Sequence, residues 1–272
     1  MRRLIAAVTL AAAVAASGAA QTDLDAFMAR VLARRDENWK KLEQYILDER
    51  ETLQVSGPGG VPLYGFERHY IWYPRGGRFV RSPLTADGAA IGENERRRYE
   101  DAWLEREARG TQEPGFVSAA YFLRFRFDPG HYALVGREMV EGRDALRIEY
   151  YPARMFAEGR TRPNRELRQR DEDVTRKMNK TTLVTLWVLP DAHQIVKYEL
   201  TNIDMDFLPA PSLFRFEGGD AQMEMGEAFP GIWLPRSVRI AFELTLATGE
   251  VTAQYAADYH DYRLASVDVE VR

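Results

Sequence analysis

The sequence contains no cysteine. Without a thiol the chain forms no disulfide, so in an oxidising compartment its stability must come from packing alone. Lipid attachment of the bacterial lipoprotein kind, which needs a Cys just after the cleavage site, is excluded for the same reason. Long apolar runs are scarce. Leu4 to Ala16 is apolar except for Thr9, but it falls short of the roughly 20 residues that a membrane-crossing helix needs. Positive charge is not in excess either: 37 Lys plus Arg stand against 41 Asp plus Glu, a formal net charge of −4. Losing Arg2 and Arg3 would deepen that balance by two. Such a chain has no electrostatic reason to seek nucleic acid or an anionic membrane surface.

Catalytic signatures are missing as well. The four histidines, at 69, 131, 193 and 260, are far apart and form no HExxH-type ligand pair, so no metal is expected. There is no Gly-x-Ser-x-Gly elbow. Gly57-Pro58-Gly59-Gly60 lacks the Gly-Lys-Ser/Thr of a phosphate loop, and Pro58 removes a backbone donor. Neither a catalytic residue nor a cofactor is expected, and the chain reads as a non-enzyme. The one enzymatic option is a carboxylate pair acting on a glycosidic bond, for which Asp204 and Asp206 alternate on one strand face. Charged residues on an exposed strand are the commoner reason for such a pattern.

What is present begins with an export signal. Arg2-Arg3, an apolar stretch, and the small residues Ser17-Gly18-Ala19-Ala20 before Gln21 make residues 1–20 a cleavable signal peptide. The expectation is a periplasmic or secreted protein, with no transmembrane segment after signal cleavage. Residues 21–272 are expected to form a single domain, long enough to bury a large core.

Residues 22–48 read as one amphipathic helix. Leu24, Phe27, Met28, Val31, Leu32, Trp39, Leu42 and Ile46 recur at three- and four-residue steps, and Thr22 with Asp25 resembles a capping box. After the turn at Ser56 to Gly60, β patterns dominate. Leu63–Tyr73 and Arg78–Arg81 flank an Arg75-Gly76-Gly77 turn. Two charged helices are expected at 91–109 and 163–180, and Phe116–Phe127 suits either a helix or a strand. Hairpins are expected at 132–140 with 145–151, at 181–189 with 194–202, and at 238–245 with 251–262. Leu183–Leu189 is apolar on both faces, which points to a central strand with the barrel interior on one side and a helix on the other. Sequential hairpins imply an antiparallel sheet that must curl or double over to cover its apolar face.

Three stretches resemble one known type of protein. Leu186-Trp187-Val188-Leu189-Pro190-Asp191 with His193-Gln194-Ile195-Val196-Lys197-Tyr198-Glu199 resembles the signature hairpin of LolA-like periplasmic proteins, the outer-membrane lipoprotein-sorting type. Val135-Gly136-Arg137-Glu138 through Gly142-Arg143-Asp144 to Pro152 resembles a second unit of that pattern. Gly231-Ile232-Trp233-Leu234-Pro235, with the strands ending at Asp258 to Tyr262, resembles a third. The resemblance spans about 22–262. It implies a mainly β (α+β) fold: a half-open antiparallel β-barrel wrapping the N-terminal amphipathic helix, with the charged helices as insertions.

It also implies a periplasmic, non-enzymatic carrier or sensor that binds a lipid or lipoprotein acyl chain in an apolar barrel cavity. Ligand contacts are then expected from Trp187, Leu189, Tyr198, Ile240, Phe242 and Leu244. The alternative is an envelope interaction module without ligand, whose partner would meet the charged helices. In that reading the basic run Arg160, Arg162, Arg165, Arg168 and Arg170 is the surface of interest, although Glu166/Arg170 and Asp173/Lys177 pairing equally makes a solvated helix. The apolar loop Leu208–Phe214 would then be a cavity lip or simply core.

Overall fold

Whether the apolar faces meet as expected is answered by strand order. The computed structural model describes residues 2–108, 119–152, 182–202 and 214–265. Helix α1 (Arg2–Leu42) leads into strands β1 (Tyr45–Ser56), β2 (Pro62–Arg75), β3 (Arg78–Ala86) and the two-residue β4 (Ala89–Ala90). Helices α2 (Glu93–Ala108) and α3 (Ala119–Arg124) follow, then β5 (Tyr132–Val140), β6 (Arg143–Tyr150), β7 (Thr182–Leu189) and β8 (Gln194–Asn202). Three long strands close the chain: β9 (Phe214–Phe229), β10 (Ile232–Leu246) and β11 (Gly249–Leu264). The eleven strands form one sheet in the order β4-β3-β2-β1-β11-β10-β9-β8-β7-β6-β5. Every pair with a described register is antiparallel. Two meanders are thus joined by the β1–β11 seam, and β4 and β5 remain as edges. This is the expected half-open antiparallel barrel.

Two cross-strand rows define its helix-bearing face. One runs Ile148, Leu186, Tyr198, Met223, Val238, Ala257 and Glu51. The other runs Tyr150, Val184, Leu200, Ala221, Ile240, Tyr255, Leu53 and Phe66. All but Leu53 and Phe66 are buried. Because side chains alternate along a strand, these registers put one apolar residue from each strand side by side. Helix α1 closes over them with Met28 and Val31, both fully buried. It is fixed by Asn38 Nδ2 donating to Gln194 Oε1 at 2.7 Å and by Arg34 donating to the Gly231 carbonyl at 2.7 Å. Phe122 of α3 meets the Tyr198 ring edge-on at 6.1 Å.

Several boundaries differ from the expectations, each for a local reason. The first helix ends at Leu42 and not at 48, and it runs through Thr22, which therefore does not mark its start. Tyr45–Ser56 is a strand whose inward positions include Glu49 and Glu51. Charge at buried positions erases the period-two pattern, while Leu42 and Ile46 keep a helical spacing by accident. Strand β9 was not anticipated, because Gly218-Gly219 and Gly226 read as turn residues inside it. Its Ala221, Met223 and Met225 are nonetheless buried in alternation. Helix α3 resolves the ambiguous Phe116–Phe127 stretch for residues 119–124. The β5–β6 turn places Glu141 and Gly142 at φ of 50° and 76°, the left-handed pair that a tight hairpin demands.

Helix α2 lies beside β3. Trp103 Nε1 donates to the Phe79 carbonyl at 3.1 Å, and the buried Glu100 carboxylate accepts from Ser82 Oγ and from Arg75. Beyond the stub of β4, this helix shields an edge that would otherwise offer free backbone groups. The expected helix at 163–180, the basic run 160–170, Asp204, Asp206 and the loop up to residue 213 lie outside the described residues.

Candidate functional site

Strand β10 carries the feature that most resembles a binding surface. Ile240, Phe242, Leu244 and Leu246 share the helix-bearing face, and exposure rises along them from 2% at Ile240 to 36% at Leu246. On neighbouring strands the same face presents Val251 and Ala253, then Leu53 and Val55, then Phe66 and Tyr64. Tyr64 is 58% exposed, and nearby Leu63 59%. An apolar stripe therefore leaves the core beneath α1 and α3 and reaches the surface across β10, β11, β1 and β2. Of this stripe Leu246 and Tyr64 are exposed and most of the rest half-buried; an apolar strip that opens to the surface marks a ligand or interaction site more often than isolated apolar residues do.

Below that stripe the wall is charged. Glu49, 2% exposed, accepts bonds from Arg81 Nε at 3.0 Å, from Arg81 Nη2 at 2.8 Å through its other oxygen, and from Trp72 Nε1. Arg81 also lies 3.2 Å from Glu51 Oε2, without the alignment of a hydrogen bond; the other Glu51 oxygen accepts from the Tyr255 hydroxyl at 3.0 Å. The guanidinium sits 3.4 Å from the Tyr70 ring centroid. Burial works against the Arg81 charge, but the Glu49 and Glu51 carboxylates outweigh it and hold its pKa above the ordinary value. Burial likewise pushes the Tyr70 hydroxyl up to about 12, so it stays protonated and neutral. A bidentate pair of this type is strong where water is excluded. Sequence reasoning missed it. The only hint is Glu49 and Glu51 at i,i+2 among alternate positions otherwise held by Tyr45, Leu47, Leu53 and Val55.

The six residues expected to touch ligand separate into four groups. Tyr198 and Ile240 are core, 1% and 2% exposed. Phe242 and Leu244 belong to the half-buried part of the stripe. Trp187 is buried on the opposite face of β7, where Nε1 donates to Glu138 Oε2 at 2.8 Å and Lys197 Nζ stands 4.5 Å from the ring centroid. Among the described residues, charged side chains and not a helix cover that face. Leu189, the last residue of β7, is half-buried opposite Gln194. The structure thus brings Ile240, Phe242 and Leu244 onto one surface and leaves Trp187 apart.

A cavity of about 620 Å³ opens on the other side of the sheet. Thr52, Gln54, Glu199, Asp220, Gln222, Arg239 and Gln254 line it, a polar surface unsuited to an acyl chain. Asp48, His260 and Asp261 come together on the exposed surface, but there Arg263 faces Asp48 and His260 bonds Asp261. Among the described residues no helix is long and apolar enough to cross a membrane.

No family model matches the sequence, and no curated protein matches it. Solved structures do. A protein of the DUF1329 family from Desulfovibrio piger is 11% identical, with 89% of this chain and 92% of that one covered at a TM-score of 0.33. A domain named for outer-membrane lipoprotein sorting, from Vibrio parahaemolyticus, is 12% identical over 89% of this chain and 93% of that one, TM-score 0.32. The lipoprotein LppX from Mycobacterium tuberculosis is 10% identical over 88% and 99%, TM-score 0.27.

Proposed function

We propose that the protein is a non-enzymatic carrier or sensor of the bacterial envelope that shelters an acyl chain between its helices and the helix-bearing face of the sheet. The observation that carries this reading is the apolar stripe from Ile240 to Leu246, which continues the core to the surface over four adjacent strands. Burying such surface against an acyl chain contributes about 25 cal/mol per Å² removed from water. Residues 1–20 supply the export signal, and the absence of Cys leaves the exported chain without a lipid anchor of its own. Lipid extraction and mass spectrometry of protein purified from its native envelope should find a co-purifying amphiphile. Phe242→Asp with Leu244→Asp should remove it while far-ultraviolet circular dichroism stays unchanged. Wild-type protein that carries no lipid and takes up none from vesicles would sink the proposal.

An envelope interaction module is the second reading, favoured by one feature. Strand β5 is a sheet edge with Leu134, Val135 and Met139 all exposed. An apolar edge can accept a partner's strand by β-augmentation. Cross-linking from a photoreactive residue at Met139 in whole cells tests it: a single specific adduct supports the reading, and none at all counts against it.

A further inference from the structure

On the wall between the apolar stripe and the buried charges, aromatic rings and a guanidinium alternate. From the rim inward, β2 turns Tyr64, Phe66, Arg68 and Tyr70 to the helix-bearing face. The Arg68 guanidinium carbon lies 4.0 Å from the Phe66 ring centroid. Among the described residues, no carboxylate lies within ion-pair distance of Arg68, whereas Arg50, Arg75 and Arg81 each have one. The acids nearest in register or sequence are already engaged. Glu51 pairs with Arg68 across the β1–β2 ladder, but its carboxylate faces Arg81 and the Tyr255 hydroxyl. Glu67 lies on the opposite face and accepts from Arg50.

We propose that Arg68 is a headgroup subsite, and that the occupant of the apolar stripe is an anionic amphiphile whose carboxylate or phosphate pairs with this guanidinium. The inference rests on the carrier reading above and narrows its ligand. Arg presents a planar fork that matches both oxyanions bidentately. Stacking on Phe66 holds that fork in place and keeps it weakly hydrated. Its half-buried position strengthens the pairing relative to a charge in open water. Phe66 and Leu53 in the next cross-strand row, and Tyr64, Val55, Ala253 and Phe242 in the row beyond, supply the apolar bed for the tail. A neutral amphiphile would fill the bed and leave Arg68 unanswered.

Binding of palmitate, hexadecyl phosphate and hexadecanol to delipidated full-length protein separates these cases, with inorganic phosphate as the headgroup-only probe. Both anions should bind about ten-fold or more tighter than the alcohol, the size of a charged hydrogen-bonding contact. Inorganic phosphate should compete poorly. Arg68→Gln should bring both anions down to the level of hexadecanol and leave hexadecanol unchanged; Arg68→Lys, keeping the charge without the fork, should fall between. Unchanged hexadecanol binding also shows that the variant has folded. Equal affinity for all three in the wild type, or an anion preference that survives Arg68→Gln, overturns the subsite alone. Wild-type protein that binds none of the three overturns the carrier reading with it. Phosphate binding as tightly as hexadecyl phosphate would mean a free-anion site and overturn the amphiphile.

Discussion

At the scale of single residues, the buried charges on β1 carry the sharpest consequence. Glu49 and Glu51 share one guanidinium in a wall otherwise made of rings and aliphatic side chains. Arg81→Gln leaves two carboxylates buried without a counter-charge, and such broken pairs cost about 3–5 kcal/mol. Urea unfolding should show that loss. Replacing all three groups together, Glu49→Leu with Glu51→Leu and Arg81→Met, should cost far less than the sum of the single changes, because no uncompensated charge remains. On the exposed face the expectation concerns pH. Hydrogen bonds from Arg50 and then His69 hold the Glu67 carboxyl down at about 2, below its ordinary 4.5. A depressed carboxyl stabilises the fold fully above the unfolded value, and that contribution fades as pH falls from about 4.5 through about 2. Carbon-detected NMR titration should find this low midpoint, and Arg50→Gln should move it back up.

Among elements, α1 decides how the barrel is filled, and its anchor is polar. Asn38 and Gln194 are both nearly inaccessible and bonded to each other, and Asn38 Oδ1 has no partner. Gln194 also donates to the Ile195 carbonyl at 2.6 Å. Asn38→Ala should destabilise the protein by about 1–3 kcal/mol, the cost of stranding a buried polar group; thermal unfolding checks this. A substitution on the solvent side of the same helix, such as Glu37→Ala, should leave the transition within experimental error, since a surface pair with Arg34 is worth little. The helix is thus placed by its buried Met28 and Val31, the interior amide pair and the bonds of Arg34 and Arg35 to backbone carbonyls, and little by surface ion pairs such as Arg34–Glu37.

Over the whole molecule, the seam between β1 and β11 joins the first strand to the last. Tyr255 of β11 bonds Glu51 of β1 across a sequence separation of 204. Forming that seam requires closing nearly the whole chain, so a slow, high-contact-order folding reaction is expected. The central strands should open only with global unfolding. In native-state hydrogen exchange, amides of β1, β10 and β11 should exchange last, while those of the edge strands β4 and β5 exchange early. Early exchange in β1 would mean that the two meanders open independently.

The sequence by itself determined the absence of disulfides, the antiparallel hairpins and the general direction of the apolar faces. The hairpins are local: Val238 to Leu244 alternates whatever packs upon it. Phe242 and Leu244 fall on the helix-bearing face, as the alternation from Val238 predicts, because β10 keeps its period against β11 over that stretch. Tertiary structure alone decided the rest. Glu49 and Glu51 point inward by alternation with Leu47 and Leu53, but their burial is tolerable only because Arg81 arrives from another strand to pair with them, and the spacing within β1 does not name that partner. Trp187 is buried on the face opposite the helix because the alternation of β7 assigns the helix-bearing side to Leu186; an apolar strand does not say which of its faces the helix covers. The apolar stripe is likewise a product of register, which aligns Phe242, Ala253, Val55 and Tyr64 across β10, β11, β1 and β2.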